Sequence, residues 1–273
     1  MAASILEQIL TYKREVEVPE RMRALPLAEL RRAAEAMPPA CDFTAALRQT
    51  GGNVALIAEV KRASPSKGMF VQGAFDPAGI ARLYVDNGAA AISVLTDQPF
   101  FKGALEHLRL VRSVVAQPVL RKDFVVDPYQ VYEARAWGAD AVLLIVAALD
   151  DAALRDLHRL AESLSLTPLV EVHNETEVER ALNVGARLIG VNNRDLHTFR
   201  TDLTTTARCA CRIRAASAEA VIVSESGIFT AEDVACVAAM GAQAVLVGEA
   251  LITAPDMAAQ VRALARVKRP AHL

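Results

Sequence analysis

The sequence predicts a (β/α)8 barrel, an α/β fold, preceded by a helical N-terminal extension. Three observations carry that prediction. From Val54 onward, short apolar runs rich in Val, Ile and Leu alternate with amphipathic stretches, as buried parallel strands alternate with helices. A Gly-Ala pair recurs at Gly88-Ala89, Gly138-Ala139, Gly185-Ala186 and Gly241-Ala242, at spacings of 50, 47 and 56 residues. Each spacing holds two strand–helix units, which makes eight alternations and places the four pairs before strands two, four, six and eight. Finally, no G-x-G-x-x-G follows the first run, as the rival open doubly wound sheet would require.

In order, the predicted strands are residues 55–60, 90–95, 119–124, 141–147, 168–172, 188–191, 221–224 and 244–247. Helical stretches between them include 77–87, 128–137, 150–164 and 230–240. Pro77 and Pro128 suit a first helical turn, where a missing N–H is harmless. The four recurrent glycines suit the left-handed position just past a helix end. Asp76, Asp127 and Asp256 read as helix caps.

Residues 1–48 read differently. Ser4 can cap a helix with Ile5, Ile9 and Leu10 on one face, and a second helix spans 27–36 before Pro38-Pro39. Gly51-Gly52 then separates this segment from the barrel. The expected organisation is a 1–48 extension packing over the barrel mouth and a 49–273 catalytic barrel, together one structural domain.

Composition narrows the function. A chain of 273 residues with 53% hydrophobic and 23% charged residues folds without a disulfide or metal staple. Its net charge of -2 argues against a nucleic-acid partner, so any anion must be held by a local cluster. No apolar run approaches the roughly 18 residues of a membrane span, and the N-terminus shows no secretory pattern. Cys41, Cys209, Cys211 and Cys236 lack C-x-x-C spacing and read as reduced thiols. A cytoplasmic location is expected.

Barrel active sites lie at the C-terminal strand ends, and these ends carry an unusual set of residues. Strand one ends in Glu59-Val60-Lys61, with Glu59 and Lys61 in phase. Strand three ends in Lys122, strand five in Glu171-Val172-His173, strand six in Asn192-Asn193-Arg194, and strand seven in Ser224-Glu225-Ser226-Gly227. Two lysines, two glutamates and an asparagine on one rim suit general acid–base chemistry, because crowded charges in a half-dry mouth have shifted pKa values. Ser226-Gly227 and Gly248-Glu249 follow strands seven and eight, the usual phosphate position in barrels. The loop from Ser64 to Gly68 adds polar groups above strand one. A small phosphorylated substrate is the expected partner. His173 reads as a packed or solvated histidine and Trp137 as packing. The five histidines show no metal-ligand spacing, and P-loop, nucleophile-elbow and EF-hand motifs are absent.

These motifs resemble the indole-3-glycerol phosphate synthase family of tryptophan biosynthesis. The resemblance rests on the stretch from Leu56 to Ser66, on Ser93 to Asp97, Leu120 to Phe124, Leu169 to His173, Gly190 to Leu196 and Ser224 to Ile228, in family order and spacing. It implies closure of 1-(2-carboxyphenylamino)-1-deoxyribulose 5-phosphate to an indole with loss of CO2 and water, without metal or cofactor. It implies Lys122 as general acid on the substrate carbonyl, Glu171 and Lys61 in later proton transfers and dehydration, and Glu59 and Asn192 as orienting groups. It places phosphate on Ser226, Gly227 and Gly248 with help from Lys61, and the anthranilate ring among Phe101, Phe124 and Leu143. Ser64 and Arg194 join the substrate-binding positions. Some relatives carry Ser where this chain has Glu249, whose carboxylate is expected to point away from a phosphate.

Two alternatives stay open on the residues alone. Phosphoribosylanthranilate isomerase shares the barrel and the phosphate position, but would use a Cys/Asp pair and would not need residues 1–48. A non-catalytic phosphate-binding barrel would tolerate loss of the charged rim. Whether other enzymes of the pathway dock onto the chain is not decided by the sequence.

Overall fold

The computed structural model describes residues 4–195 and 198–270; Leu196, the end of one family motif, lies outside them. Eight parallel strands close into a barrel: β1 (Ala55–Val60), β2 (Ala91–Leu95), β3 (Val119–Lys122), β4 (Ala141–Ile145), β5 (Thr167–Val172), β6 (Leu188–Asn192), β7 (Val221–Glu225) and β8 (Ala244–Val247). Each pairs with its neighbour in sequence, and β8 closes onto β1 from Ala55↔Ala244 to Ala58↔Val247. The register is what assembles the rim. It sets Lys122 beside Leu95, Glu171 beside Ile145 and Asn192 beside Glu225.

Two strands end before their apolar runs do. β3 stops at Lys122, because the next carboxylate, Asp123, accepts the N–H of Phe124 and turns the chain. β4 stops at Ile145, which makes the last pair with β5. Val146–Ala148 coils into a 3-10 turn that is capped by Arg14 donating to the Ala148 carbonyl. Asp76, Asp127 and Asp256 cap helices as expected, and Gly88, Gly138, Gly185 and Gly241 all have positive φ.

The N-terminal segment is longer and more embedded than its sequence suggests. From a Ser4/Glu7 capping box, α1 (Ile5–Tyr12) runs through a π turn (Lys13–Glu17) into α2 (Val18–Ala24). The widened turn sits just before Pro19, which has no N–H for the helical ladder, and it carries Lys13 and Glu17 to the buried side. α3 (Leu27–Glu35) packs on the Pro128–Ala136 helix. There Val18, Leu30 and Tyr129 make a small core of their own, and the Tyr129 hydroxyl donates to the Arg21 and Leu25 carbonyls at 2.9 and 3.0 Å. α4 (Phe43–Arg48) inserts Phe43 and Leu47, both 0% exposed, into the barrel core. Leu6 and Leu10 belong to that same core. Side chains of this size contribute about 1.5–3 kcal/mol each on burial, so the segment contributes to the core of the barrel.

Past Gly51-Gly52 the chain enters β1. Four cysteines are free thiols, with Cys209 buried. Among the described residues, no helix is long and apolar enough to cross a membrane.

Candidate active site

At the C-terminal end of the barrel, the residues singled out by the sequence come together around one cavity. Glu59, Lys61, Ser64, Phe101, Lys122, Phe124, Leu143, Glu171, Asn192, Arg194, Ser226, Gly227 and Gly248 all line it, and Ile5, Leu6 and Ile9 of α1 lie at the same opening. The strands bring these groups in from distant parts of the chain, because every strand ends on the same rim.

Lys122 is the centre of the charged floor. Its Nζ lies 3.1 Å from Glu171 Oε2 and 3.4 Å from Glu225 Oε2. Asn192 Nδ2 donates to Glu171 Oε1 at 3.1 Å, and the Arg194 backbone N–H in turn fixes the Asn192 amide oxygen at 3.0 Å. Lys61 Nζ stands 3.3 Å from Glu59 Oε1 and 5.7 Å from the Phe101 ring centre. The Phe101 and Phe124 rings face each other at 6.0 Å. Leu143 adds an aliphatic wall. Arg194 reaches across to Ser66 Oγ at 3.3 Å, joining the β6 end to the hairpin of Ala63–Ser64 and Gly68–Met69 above β1.

These neighbours drive the protonation states apart. Burial alone would push Lys122 down, but Glu171, then Glu225 and Glu59, overcome it and hold the ammonium above its ordinary value. Burial would push Glu171 up, but Lys122, His173 and Asn192 hold it well below the usual carboxylate range. Glu225 goes the other way. Burial, with repulsion from Glu171 and Glu59, outweighs Lys122 and pushes it up to about 8. The site therefore sets an ammonium, a carboxylate held ionised and a carboxyl of raised pKa within one contact of each other.

Opposite, Ser226 and Gly227 both adopt left-handed backbone, φ 67° and 78°. A Cβ on Gly227 would collide with the Thr201 methyl, so only glycine lets this turn expose its backbone to the cavity. Gly248 precedes a short helix (Glu249–Ile252) and passes beneath the Glu59 carboxylate. Glu249 Oε1 lies 3.7 Å from Lys67 Nζ.

Three groups were missed by the sequence reading. Glu225, 2% exposed, was passed over because its segment was read for phosphate; its Oε1 is buried without a hydrogen-bond partner among the described residues. The signal was there, since Glu225 ends β7 as Glu171 lies near the end of β5. Gly190 was a second signal, because a Cβ there would collide with the Glu225 carboxylate. His173 is packed, as its sequence suggests, but it sits between two carboxylates, which the sequence did not show. Its Nε2 is 3.4 Å from Glu171 Oε1 and its Nδ1 3.0 Å from Glu177 Oε2. Burial would lower its pKa, but contacts with Glu171 and Glu177 raise it to about 10. The third group is a buried ion cluster around Lys13, Asp97 and Asp123.

Comparison with known proteins agrees with this geometry. A family model described as indole-3-glycerol phosphate synthase matches residues 6–264. A relative of that name from Roseiflexus sp. (strain RS-1) is 57% identical, over 96% of this chain and 98% of its own. Another from Azoarcus sp. (strain BH72) is 50% identical, over 96% and 99%. Among solved structures, thiamine phosphate pyrophosphorylase from Pyrococcus furiosus aligns with a TM-score of 0.59 at 18% identity, over 79% of this chain and 96% of its own. A 3-hexulose-6-phosphate synthase from Salmonella typhimurium gives 0.60 at 17%, over 78% and 97%. At such identities these two share the barrel fold and nothing finer. The match over nearly the full length is decisive, and the chain belongs to the indole-3-glycerol phosphate synthase family.

Proposed function

We propose that Lys122, flanked by Glu171 and Glu225 at the floor of an aromatic-walled cavity, drives the ring closure of this family. As a member of it, the chain is a carboxy-lyase of tryptophan biosynthesis acting on a small phosphorylated substrate. The substrate is 1-(2-carboxyphenylamino)-1-deoxyribulose 5-phosphate. Its aryl ring lies among Phe101, Phe124 and Leu143, and its phosphate on the Ser226-Gly227 turn and Gly248, with Lys61 nearby.

When the ring carbon bearing the carboxylate attacks the ketone, negative charge builds on the carbonyl oxygen. The Lys122 ammonium stabilises that oxygen and delivers its proton, an interaction stronger in the transition state than in the ground state. Loss of CO2 restores the aromatic ring. The new hydroxyl then leaves as water, taking a proton from an acid while a base removes a proton from the adjacent carbon. Two carboxyl groups with pKa values pushed apart suit such paired roles. Glu171 is the ionised base, with Lys61 serving the later transfers. Glu225, protonated near neutral pH, lies beside Lys122 and supplies or relays the acid proton. Glu59 and Asn192 orient the hydroxyls and the lysine, and Ser64 and Arg194 contribute polar contacts at the opening. Free cysteines fit a cytoplasmic enzyme. In this reading residues 1–48 are the extension and 49–273 the catalytic barrel, within one structural domain.

The observation that carries the proposal is the contact of Lys122 with both Glu171 and Glu225 beside the paired phenyl rings. Adding the substrate and following indole fluorescence tests it. Turnover is expected, competitively inhibited by inorganic phosphate, and absence of indole fluorescence refutes the assignment.

A further inference from the structure

The ammonium of Lys13 is 0% exposed and sits between two loops of the barrel mouth. Its Nζ lies 2.7 Å from Asp123 Oδ1, 3.1 Å from Asp97 Oδ2 and 2.9 Å from Glu17 Oε2. Asp97 follows β2 and Asp123 follows β3, and the side chains of both are fully buried. Each carboxylate also holds an aromatic loop. Asp97 Oδ1 accepts the backbone N–H groups of Phe100 and Phe101 at 2.8 and 3.1 Å. Asp123 Oδ1 accepts that of Phe124 at 2.8 Å, while its Oδ2 takes the Thr96 hydroxyl at 2.6 Å and Arg121 Nη2 at 3.1 Å. Phe101 and Phe124 are the rings that face each other across the cavity at 6.0 Å.

We propose that Lys13 is a positioning residue for the aryl half of the substrate, setting the Phe101–Phe124 gap through Asp97 and Asp123. The proposal rests on the assignment of that gap to the aromatic ring. Without the ammonium, the Asp97 and Asp123 carboxylates face each other in a dry site with Arg121 on one side, and like charges in that setting repel strongly. They separate or take up protons, and either change moves the backbone amides that place the two rings. The same helix carries Ile5, Leu6 and Ile9 to the opening, so Lys13 ties the seating of α1 to the shape of the pocket. Lys13 ties the loops after β2 and β3, whereas the phosphate-side turns follow β7 and β8, which makes the prediction specific. Aryl binding should suffer, and phosphate binding should not.

The test uses the full chain with Lys13→Met, and with Lys13→Met combined with Asp97→Asn, which restores the charge balance should the single variant fail to fold. Substrate KM and Kd are expected to rise roughly tenfold to a hundredfold, the scale of a misplaced binding group. In the same variants kcat should change far less, and the inhibition constant of inorganic phosphate should stay at the wild-type value. A lower melting temperature with unchanged KM, measured well below that temperature in whichever variant folds, overturns the proposal and leaves Lys13 a purely structural ion. Equal weakening of substrate and phosphate overturns it as well. Absence of turnover in the wild type would instead refute the parent assignment, so the two failures are distinguishable.

Discussion

Two buried clusters at the same end of the barrel are built from the same parts, one ammonium among three carboxylates, yet they are set for different work. Around Lys13, the carboxylates of Asp97 and Asp123 also take backbone amides, and Asp123 takes Arg121 and Thr96 as well. Against burial, Lys13 and Arg121 hold Asp123 well below the usual carboxylate range, whereas burial raises Glu17. Around Lys122, Glu171 accepts from Asn192 and lies 3.4 Å from His173 Nε2, but Glu225 keeps a buried oxygen without a hydrogen-bond partner among the described residues. Its pKa is pushed up to about 8. The difference lies in the charge left uncompensated. A cluster whose carboxylates hold backbone amides fixes geometry, whereas one facing a cavity with a carboxyl of raised pKa can move a proton.

The largest effect that would break this contrast is expected at Glu171. Glu171→Gln keeps the shape and the contact with Asn192 but removes the ionised base, and kcat should fall about 10²–10⁴-fold, the usual range for a positioned acid or base. Steady-state kinetics on the purified variant checks this. Near-normal kcat would make the Lys122 cluster as structural as that of Lys13.

Phe43→Ala sharpens the contrast from the stability side. Phe43 is 0% exposed in the barrel core, so its truncation should destabilise the chain by about 3–5 kcal/mol. Urea unfolding measures this. A loss below about 1 kcal/mol would show that the extension rests on the barrel without being part of its core.

Gly227→Asp should come next. It adds a negative charge, and a Cβ that meets Thr201, at a turn with φ 78°. Substrate KM should rise roughly tenfold or more, since an anion then meets an anion. An unchanged KM would move the phosphate elsewhere.

The smallest effect is in pH dependence. His173 is raised from 6.5 to about 10 in the folded state by Glu171 and Glu177, against the lowering effect of burial. Its contribution to stability is therefore complete below about pH 6.5 and is lost as pH climbs through 10. Glu225 is raised by burial, with repulsion from Glu171 and Glu59, to about 8. Folded chains thus hold a proton that unfolded chains have released, and stability falls between about pH 4.5 and 8. Thermal melts from about pH 4.5 to 10 should show both slopes. His173→Asn should flatten the alkaline one, and Glu225→Gln the one below pH 8. Slopes unchanged in the variants would contradict the two charge assignments.

How much of this was legible depended on how local the cause was. The strands were plain, because a buried parallel strand writes its environment as one apolar run, and glycines mark the junctions. Glu59, Lys61, Lys122, Glu171 and Asn192 were legible because barrel topology sends every strand end to the same rim. Glu225 was as visible as Glu171, but the neighbouring Ser226-Gly227 drew its segment to phosphate. The Lys13 cluster was not legible, since Asp97 and Asp123 lie far along the chain and a lysine on an amphipathic helix reads as solvated. α2 has no counterpart among the predicted helices; Pro19 interrupts the helical pattern there, and the structure has a π turn followed by more helix. α4, six residues long, was too short to show a period.

The most direct measurement is made on Lys122 alone. For Lys122→Ala, kcat, substrate Kd and melting temperature are compared with wild type. Loss of the positioned acid should lower kcat about 10²–10⁴-fold. Substrate Kd should change little, because the proposed phosphate turn and the aryl-wall residues Phe101 and Leu143 come from other strands, and the melting temperature should stay within about 4 °C. A near-wild-type kcat with a clearly lower melting temperature would contradict the central claim and make Lys122 a structural ion.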